Sequence, residues 1–565
     1  MWFLSPLLVA LVAVGTIQAQ DDVTSKLDDV LNVLALSRSD LAISKDYLPD
    51  PDRLAVTRRL MSDPVSSEAW LSGLAHSLQR GNDVETVEIA GRLFNGSGDG
   101  RFLRQSHGSV QVDLVTRVER AGSLVRDLLE TASVRRDLIG LVHPDTALQA
   151  AAQDDLVAAG REIPVLELLE VAADLIKHAL EAESSVGEPW IYDSPFGRVT
   201  IGGMGDDVYD VPHALIIDPG GNDIYRGVAG VSSVSVPVSV VVDLDGDDRY
   251  QGAAATGRQG IGVLVDVSGN DTYLGDDATQ GAGIGGIGIL IDKNGNDTYR
   301  AAVGAQGFGL YGVGILIDRS GNDTFACDLM GQGSAAPGGV GLLLDREGDD
   351  TYRAGGPYKD FREDGVYAKS MSQGFSLGLQ TEASGGAGLL IDLTGGDRYE
   401  VSYFGQGASH WAGTGGLYDG AGDDVYTARR YAQGCGLHLS AGILVDDSGD
   451  DVYSMWGVGQ GCGHDLAVGV LWDRAGDDRY EISWLGQGAG SGNGTGLLID
   501  CSGDDTYSAG REDTQGFGEP ARGFGSIGIL LDLFGDDRYR DADTRRLVKS
   551  GTTGGRYDVP EDREP

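Results

Sequence analysis

One pattern recurs along the C-terminal two-thirds of this chain and limits what it can fold into: G-h-h-h-D-x-x-G-x-D-x-Y, with h apolar. Its first aspartate falls at Asp218, Asp243, Asp266, Asp292, Asp318, Asp345, Asp392, Asp419, Asp446, Asp473, Asp500 and Asp532. After first intervals of 25 and 23 residues, the spacing settles at 26 or 27, apart from 47 after Asp345 and 32 before Asp532. A degenerate copy, Gly205-Asp206-Asp207-Val208-Tyr209, comes before them. This period is too short for a propeller blade of about 40 residues or more, and it lacks the helical spacing of ankyrin or TPR units. It suits one coil of a parallel β-solenoid (β-helix), with two or three short strands joined by glycine turns. About 12–13 such coils would stack at about 4.8 Å.

The repeats also show which way their side chains face. In the coil around Asp292, Gly288 to Ile291 is fully apolar and Lys293-Asn294-Gly295 is its turn. A fully apolar strand is usually covered on both faces. Its outward row therefore meets a helical domain or another subunit, or is half-covered by its neighbours. After the turn, the middle residue of D-x-Y is Arg249, Arg398, Arg479 or Arg538 in four copies. Arginine is almost never fully buried unless paired, so this position points to water. By alternation, the aspartate and the aromatic on either side point inward. The aromatic is Tyr in every full copy except that of Phe325.

In-register stacking then creates an electrostatic problem. Carboxylates about 4.8 Å apart repel by about 0.9 kcal/mol in water and about 3.5 kcal/mol at an effective dielectric of 20. Two solutions are open. Each aspartate can accept N–H groups of its own turn and stay partly wet. Alternatively, calcium, a hard cation that takes six to eight oxygen ligands, can neutralise the column.

Gly221-Asn222-Asp223-Ile224-Tyr225 and Gly269-Asn270-Asp271-Thr272-Tyr273 resemble the G-x-D-x-U core of hemolysin-type (RTX) calcium-binding repeats. That resemblance covers five or six residues per coil and implies calcium held between stacked turns of a parallel β-roll. The family's units recur about every nine residues. Here one copy occurs per coil, and Asp218, Asp266 and their equivalents replace the family's first glycine. The candidate calcium ligands are the aspartates of both positions. They are Asp223, Asp248, Asp266, Asp271, Asp292, Asp297, Asp318, Asp323, Asp345 and Asp350, then Asp392, Asp397, Asp419, Asp424, Asp446, Asp451, Asp473, Asp478, Asp500 and Asp505.

A Gln-Gly pair follows the aromatic by seven residues at Gln280, Gln306, Gln332, Gln406, Gln433, Gln460 and Gln487. Stacked glutamines predict an amide ladder in which each side chain bonds to the next. Departures from the repeat are where a specific site would sit. The stretch 403–484 holds Trp411, Trp456, Trp472 and Trp484 with His410, His438 and His464. Trp411, Trp456, Trp484 and the three histidines are candidate ligand-binding residues, because rings stack on sugar faces. Packing and solvation are the plain alternative for them. Cys435 and Cys462 lie one period apart, and stacking predicts a disulfide between them. A zinc site with His438 and His464 is the other option, although its spacing is not standard. The long interval carries an insertion, Arg353 to Ser372, rich in charged residues.

Composition narrows the partners. The 565 residues include 86 Asp plus Glu against 43 Lys plus Arg, for a net charge of −43 and a pI near 4.3. Such a chain repels nucleic acid and anionic lipid and attracts divalent cations. Four cysteines are too few for a disulfide framework. The apolar run Trp2 to Val14, ending in Ile17-Gln18-Ala19, reads as a cleaved secretory signal. It falls short of the roughly 20 residues of a membrane span. The expected location is secreted, periplasmic or cell-surface.

The expected domains are a signal peptide (1–19), an all-α domain (20–185), a linker (186–200), the solenoid (201–540) and a disordered tail (541–565). Leu27, Val30, Leu31 and Leu34 show the helical period, and the helical domain is expected to cap the rod's N-terminal end. No H-E-x-x-H motif occurs, no nucleophile elbow is identified, and no catalytic residue is assigned. The leading expectation is a non-enzymatic secreted or cell-envelope protein. It would present a rigid acidic solenoid for adhesion or assembly, with calcium as the candidate cofactor and another envelope protein or a polysaccharide as partner. The alternative is a secreted polysaccharide lyase or hydrolase of the β-helix type with its site in 403–484.

Overall fold

The computed structural model describes residues 23–43, 53–95, 110–131, 138–142, 150–182, 188–380, 382–519, 525–539, 547–549 and 554–559. The expected signal segment and most of the expected tail lie outside them. The repeats form a parallel β-solenoid of about 12 turns, preceded by seven helices among the described residues. Each G-h-h-h-D run supplies a strand to a 16-stranded sheet (sheet 1), and each D-x-Y run supplies one to a 15-stranded sheet (sheet 2). Short strands around the Gln-Gly corners close the third side as sheets of four and five strands (sheet 3). Equivalent residues pair without slippage: Val263 with Ile289, Ile289 with Ile315, Tyr273 with Tyr299.

The inward row of sheet 1, exemplified by Leu264, Leu290, Leu316 and Leu444, packs against the inward tyrosines of sheet 2 as one core. The tyrosine rings stack at 4.6–5.0 Å along the rod. The outward row, including Val263, Val265, Ile289 and Ile291, shares a second core with the helices. Helices Ala55–Ser62, Ser66–Arg80, Asp83–Asn95, Val110–Thr131 and Val165–Ala182 supply much of the cover on this flank. The expectation of an N-terminal cap is therefore corrected. An apolar stripe running the length of sheet 1 offers the helices far more area than the end of one coil. Polar clamps fix the register between the two layers. Arg346 donates to the Leu78 and Gly81 carbonyls at the C-terminal end of Ser66–Arg80, both at 3.2 Å. Arg319 pairs with buried Asp83, and Arg474 with buried Glu68.

The ends are closed by strands where a linker and a tail were expected. Trp190–Ser194 pairs antiparallel with Gly197–Ile201, which begins sheet 1. At the far end Gly554–Val559 adds to Ile527–Leu533 and is itself paired by Leu547–Lys549. There Arg556 takes the register place of Leu530 and lies 3.9 Å over the Tyr539 ring, ending the aromatic stack.

The glutamine expectation is also corrected. Each glutamine has a left-handed backbone (Gln280 φ +52°), and the glycine after it does too (Gly281 φ +79°). This double corner turns the chain into sheet 3. It is held by the side-chain amide, whose Nε2 donates to the Tyr273 carbonyl at 2.9 Å and to the Arg300 carbonyl of the next coil at 3.0 Å. The amides bond to backbone rather than to one another. Gln373, displaced by the insertion, makes the same bond to Tyr352 and is missed by the seven-residue rule.

Candidate metal centre in the aspartate file

The turn between sheets 1 and 2 places two aspartates per coil on the inside of one corner. In the coil of Asp292, the first carboxylate ends the strand Ile287–Ile291 and the second, Asp297, precedes Thr298–Val303. The glycine between them is required by close approach: a Cβ on Gly295 would run into the Gly269 carbonyl of the coil below. Both carboxylates are buried all along the rod, as are the tyrosines beside them. The middle residue, Thr298, is exposed, as the arginine argument predicts.

Each carboxylate commits one oxygen to a neighbouring coil. The second aspartates form a ladder to backbone: Asp271 N–H donates to Asp297 Oδ1 at 2.6 Å, and Asp297 N–H donates to Asp323 Oδ1 at 2.5 Å. The first aspartates accept tyrosine hydroxyls. Tyr273 donates to Asp292 Oδ2 and Tyr299 to Asp318 Oδ2, both at 2.6 Å, and Tyr426 donates to Asp446 Oδ2 at 2.7 Å. Sharing between coils, not within one turn, is the dominant pattern. Turn capping of the expected kind occurs at Asp218, Asp446 and Asp473, whose Oδ1 atoms accept N–H groups two residues on.

The remaining oxygens are left over. Oδ1 of Asp266, Asp292, Asp318, Asp345 and Asp392, and Oδ2 of Asp271, Asp297, Asp323, Asp350 and Asp397, are buried without a hydrogen-bond partner. They converge. Asp271, Asp292 and Asp297 bring one oxygen each within 4.8 Å of the others, and so do Asp297, Asp318 and Asp323, with further such triplets up and down the rod. Consecutive triplets share their second aspartate, so the sites form a continuous file. Asp243, absent from the sequence-based ligands, belongs to the first triplet with Asp223 and Asp248.

Burial first, and adjacent carboxylates second, push Asp266, Asp271 and Asp297 well above the ordinary carboxylate range. Burial pushes Asp537, at the last coil, up to about 6. The tyrosine hydroxyls are driven upward by the same burial and remain proton donors. A buried charged oxygen left unpaired costs about 1–3 kcal/mol or more. The file is therefore built to take up positive charge, either as protons shared between facing carboxyls or as metal ions.

Comparisons of the chain with family models, with curated proteins and with solved structures find no match.

The other sequence-based candidates lie elsewhere. His410, His438 and His464 form a file along sheet 3, with ring centroids 5.0 and 6.3 Å apart and Trp411 5.9 Å from His438. Trp456 and Trp484 stand 5.7 Å apart in neighbouring strands of sheet 2, both half-buried. Trp472 instead belongs to the core shared with the helices. Cys435 and Cys462 are buried free thiols, in place of the expected disulfide. In-register parallel strands keep equivalent side chains about 4.8 Å apart, wider than the roughly 3.8 Å that a disulfide requires between Cβ atoms. The thiols are buried in the core, whereas His438 and His464 lie half-buried. Sequence reading missed Arg429, Arg430 and Tyr431: Arg429 lies over Trp456, and Arg430 lies over Trp484 and over Tyr431, which Arg362 of the insertion also covers. The adjacent Arg429-Arg430, in a chain with twice as many acids as bases, was the available signal.

Proposed function

We propose that this chain is a non-enzymatic exported or cell-envelope protein whose solenoid is locked by divalent cations in the aspartate file and presents a rigid acidic surface for adhesion or assembly. The leftover carboxylate oxygens carry the reading, because they are buried, converge in triplets and lack any other partner. The donor set is all oxygen and anionic, which favours a hard cation over zinc or copper. Calcium suits it better than magnesium, which sheds water reluctantly and would need to keep several waters in a corner that excludes them. Two carboxylates per coil are balanced by one divalent ion per coil, so loading is expected to approach one ion per triplet. A rod stiffened in this way supports a scaffold role. The apolar N-terminal run supports export.

Elemental analysis of purified protein after equilibration with calcium tests the proposal, together with melting curves with and without chelator. Several bound calcium ions per chain and a lower melting temperature in chelator are expected. Absence of bound calcium together with an unchanged melting temperature would leave shared protons as the filling of the file.

A further inference from the structure

One surface of this acidic rod is cationic and aromatic, and the fold assembles it from segments far apart in sequence. The insertion after Asp345 folds back over sheet 2, where Glu363 pairs with Arg429 at 2.7 Å and stands 4.0 Å from Arg430. The Arg429 guanidinium lies 4.0 Å over the Trp456 ring, and that of Arg430 lies 4.9 Å over both Tyr431 and Trp484. Arg362 lies 5.3 Å over Phe404 and Tyr431, and Arg511 lies 5.4 Å over Trp484. Asp360 and Glu363 neutralise only part of this charge.

Hydrogen bonding is also incomplete here. Arg430 Nε and Trp484 Nε1 are buried donors without a partner. Half-buried ring faces, spare guanidinium charge and unused donors make an unusual combination. A single ligand chemistry answers all three.

We propose that this surface binds an acidic polysaccharide of the uronate type. A pyranose ring offers an apolar face to Trp456, Trp484 or Tyr431. Its carboxylate offers the paired acceptors that an arginine fork takes. Its hydroxyls accept from the unused Arg430 Nε and Trp484 Nε1. An acidic peptide supplies carboxylates without ring faces or a run of hydroxyls, and a neutral sugar supplies no charge for the arginines. The site does not depend on ions in the aspartate file.

The test is titration of the full chain with a uronic-acid oligosaccharide, read by tryptophan fluorescence and calorimetry. A neutral oligosaccharide of equal length and polyglutamate serve as parallel probes, each with calcium and with chelator. Uronate is expected to bind at least about tenfold more tightly than either control, in both conditions. Trp484→Ala and Arg430→Gln are expected to weaken it by about tenfold, with Arg430→Lys intermediate because it keeps the charge and loses the fork. Arg511→Gln, at the exposed rim, tests the same surface without disturbing buried packing. Equal binding by these folded variants overturns the proposal, as does polyglutamate binding as tight as uronate. Binding that requires calcium and ignores Arg430 and Arg511 also overturns it, since ions bridging two acidic surfaces would then suffice.

Discussion

Asp504 and Asp505 are neighbours in the chain, repeat with every coil and each accept a backbone N–H from an adjacent coil, yet they meet opposite conditions. Asp504 is exposed and accepts from Asp536 N–H at 2.9 Å, whereas Asp505 is buried and accepts from Asp478 N–H at 2.7 Å. The exposed ladder uses asparagine freely. Asn270 accepts from Asn296 N–H at 3.0 Å, and Asn296 from Asn322 N–H at 2.8 Å. The buried ladder is aspartate at every coil from Asp223 to Asp505. If a backbone acceptor were all that the inner position supplied, an amide would serve there as it does outside. The inner position uses the second oxygen and the charge, which water and salt screen on the outside but not within.

The largest expected effect comes from filling the file with calcium and changing the pH. The buried carboxylates have folded pKa values raised above their unfolded ones. The stability they contribute is therefore present below about pH 4 and is lost as pH rises through the folded values, which begin near 6 at Asp537. Without calcium, the melting temperature is expected to fall between pH 5 and pH 8. With calcium at about a thousandfold its dissociation constant, each filled site returns about 4 kcal/mol, and the difference between calcium and chelator at pH 8 should exceed about 10 °C. The outer ladder predicts no such divergence. Equal melting temperatures in calcium and chelator at pH 8 would remove the contrast between the ladders.

Single substitutions sharpen the comparison. Asp297→Asn keeps the Oδ1 acceptor for Asp271 N–H and removes the charge. In calcium it should cost about 2–3 kcal/mol by denaturant unfolding. Asn296→Asp, one residue away on the outer ladder, should stay within about 0.5 kcal/mol. If the file held protons instead, Asp297→Asn would be neutral or stabilising at pH 8, so its sign separates the two fillings.

Much of this was legible in the sequence because the repeat reports its own geometry. The arginines at the middle of D-x-Y placed Asp297 and Tyr299 inside, and the period placed the coils in register. What escaped was set by contacts the repeat does not encode. The outward row of sheet 1 announced that something covered it, but only the structure shows Leu71 of Ser66–Arg80 reaching the place left open by Gly416. The closing strands Trp190–Ser194 and Gly554–Val559 lack the motif, and Arg556 in a leucine position disguises the latter. The arginine and tryptophan surface is joined by the insertion, whose direction of folding no local pattern determines.

The smallest expected effect uses the one break in the tyrosine column. Tyr299 donates to Asp318, one coil along, but Phe325 has no hydroxyl to offer Asp345. Asp345 Oδ2 receives only the Tyr352 hydroxyl, at 3.1 Å, which Tyr352 also directs to Asp392 at 2.7 Å. The Phe325 ring stacks 4.6 Å from Tyr299 and 4.9 Å from Tyr352, in the geometry of the other rungs, so a tyrosine there is aligned for the missing bond. Phe325→Tyr should stabilise the protein by about 1 kcal/mol, and Tyr299→Phe should cost at least as much by leaving Asp318 Oδ2 without its donor. Both effects should shrink in calcium, because an ion on Asp345 or Asp318 takes over part of the hydroxyl's task. A gain from Phe325→Tyr that is the same in calcium and in chelator would mean that the two ends of that carboxylate act independently.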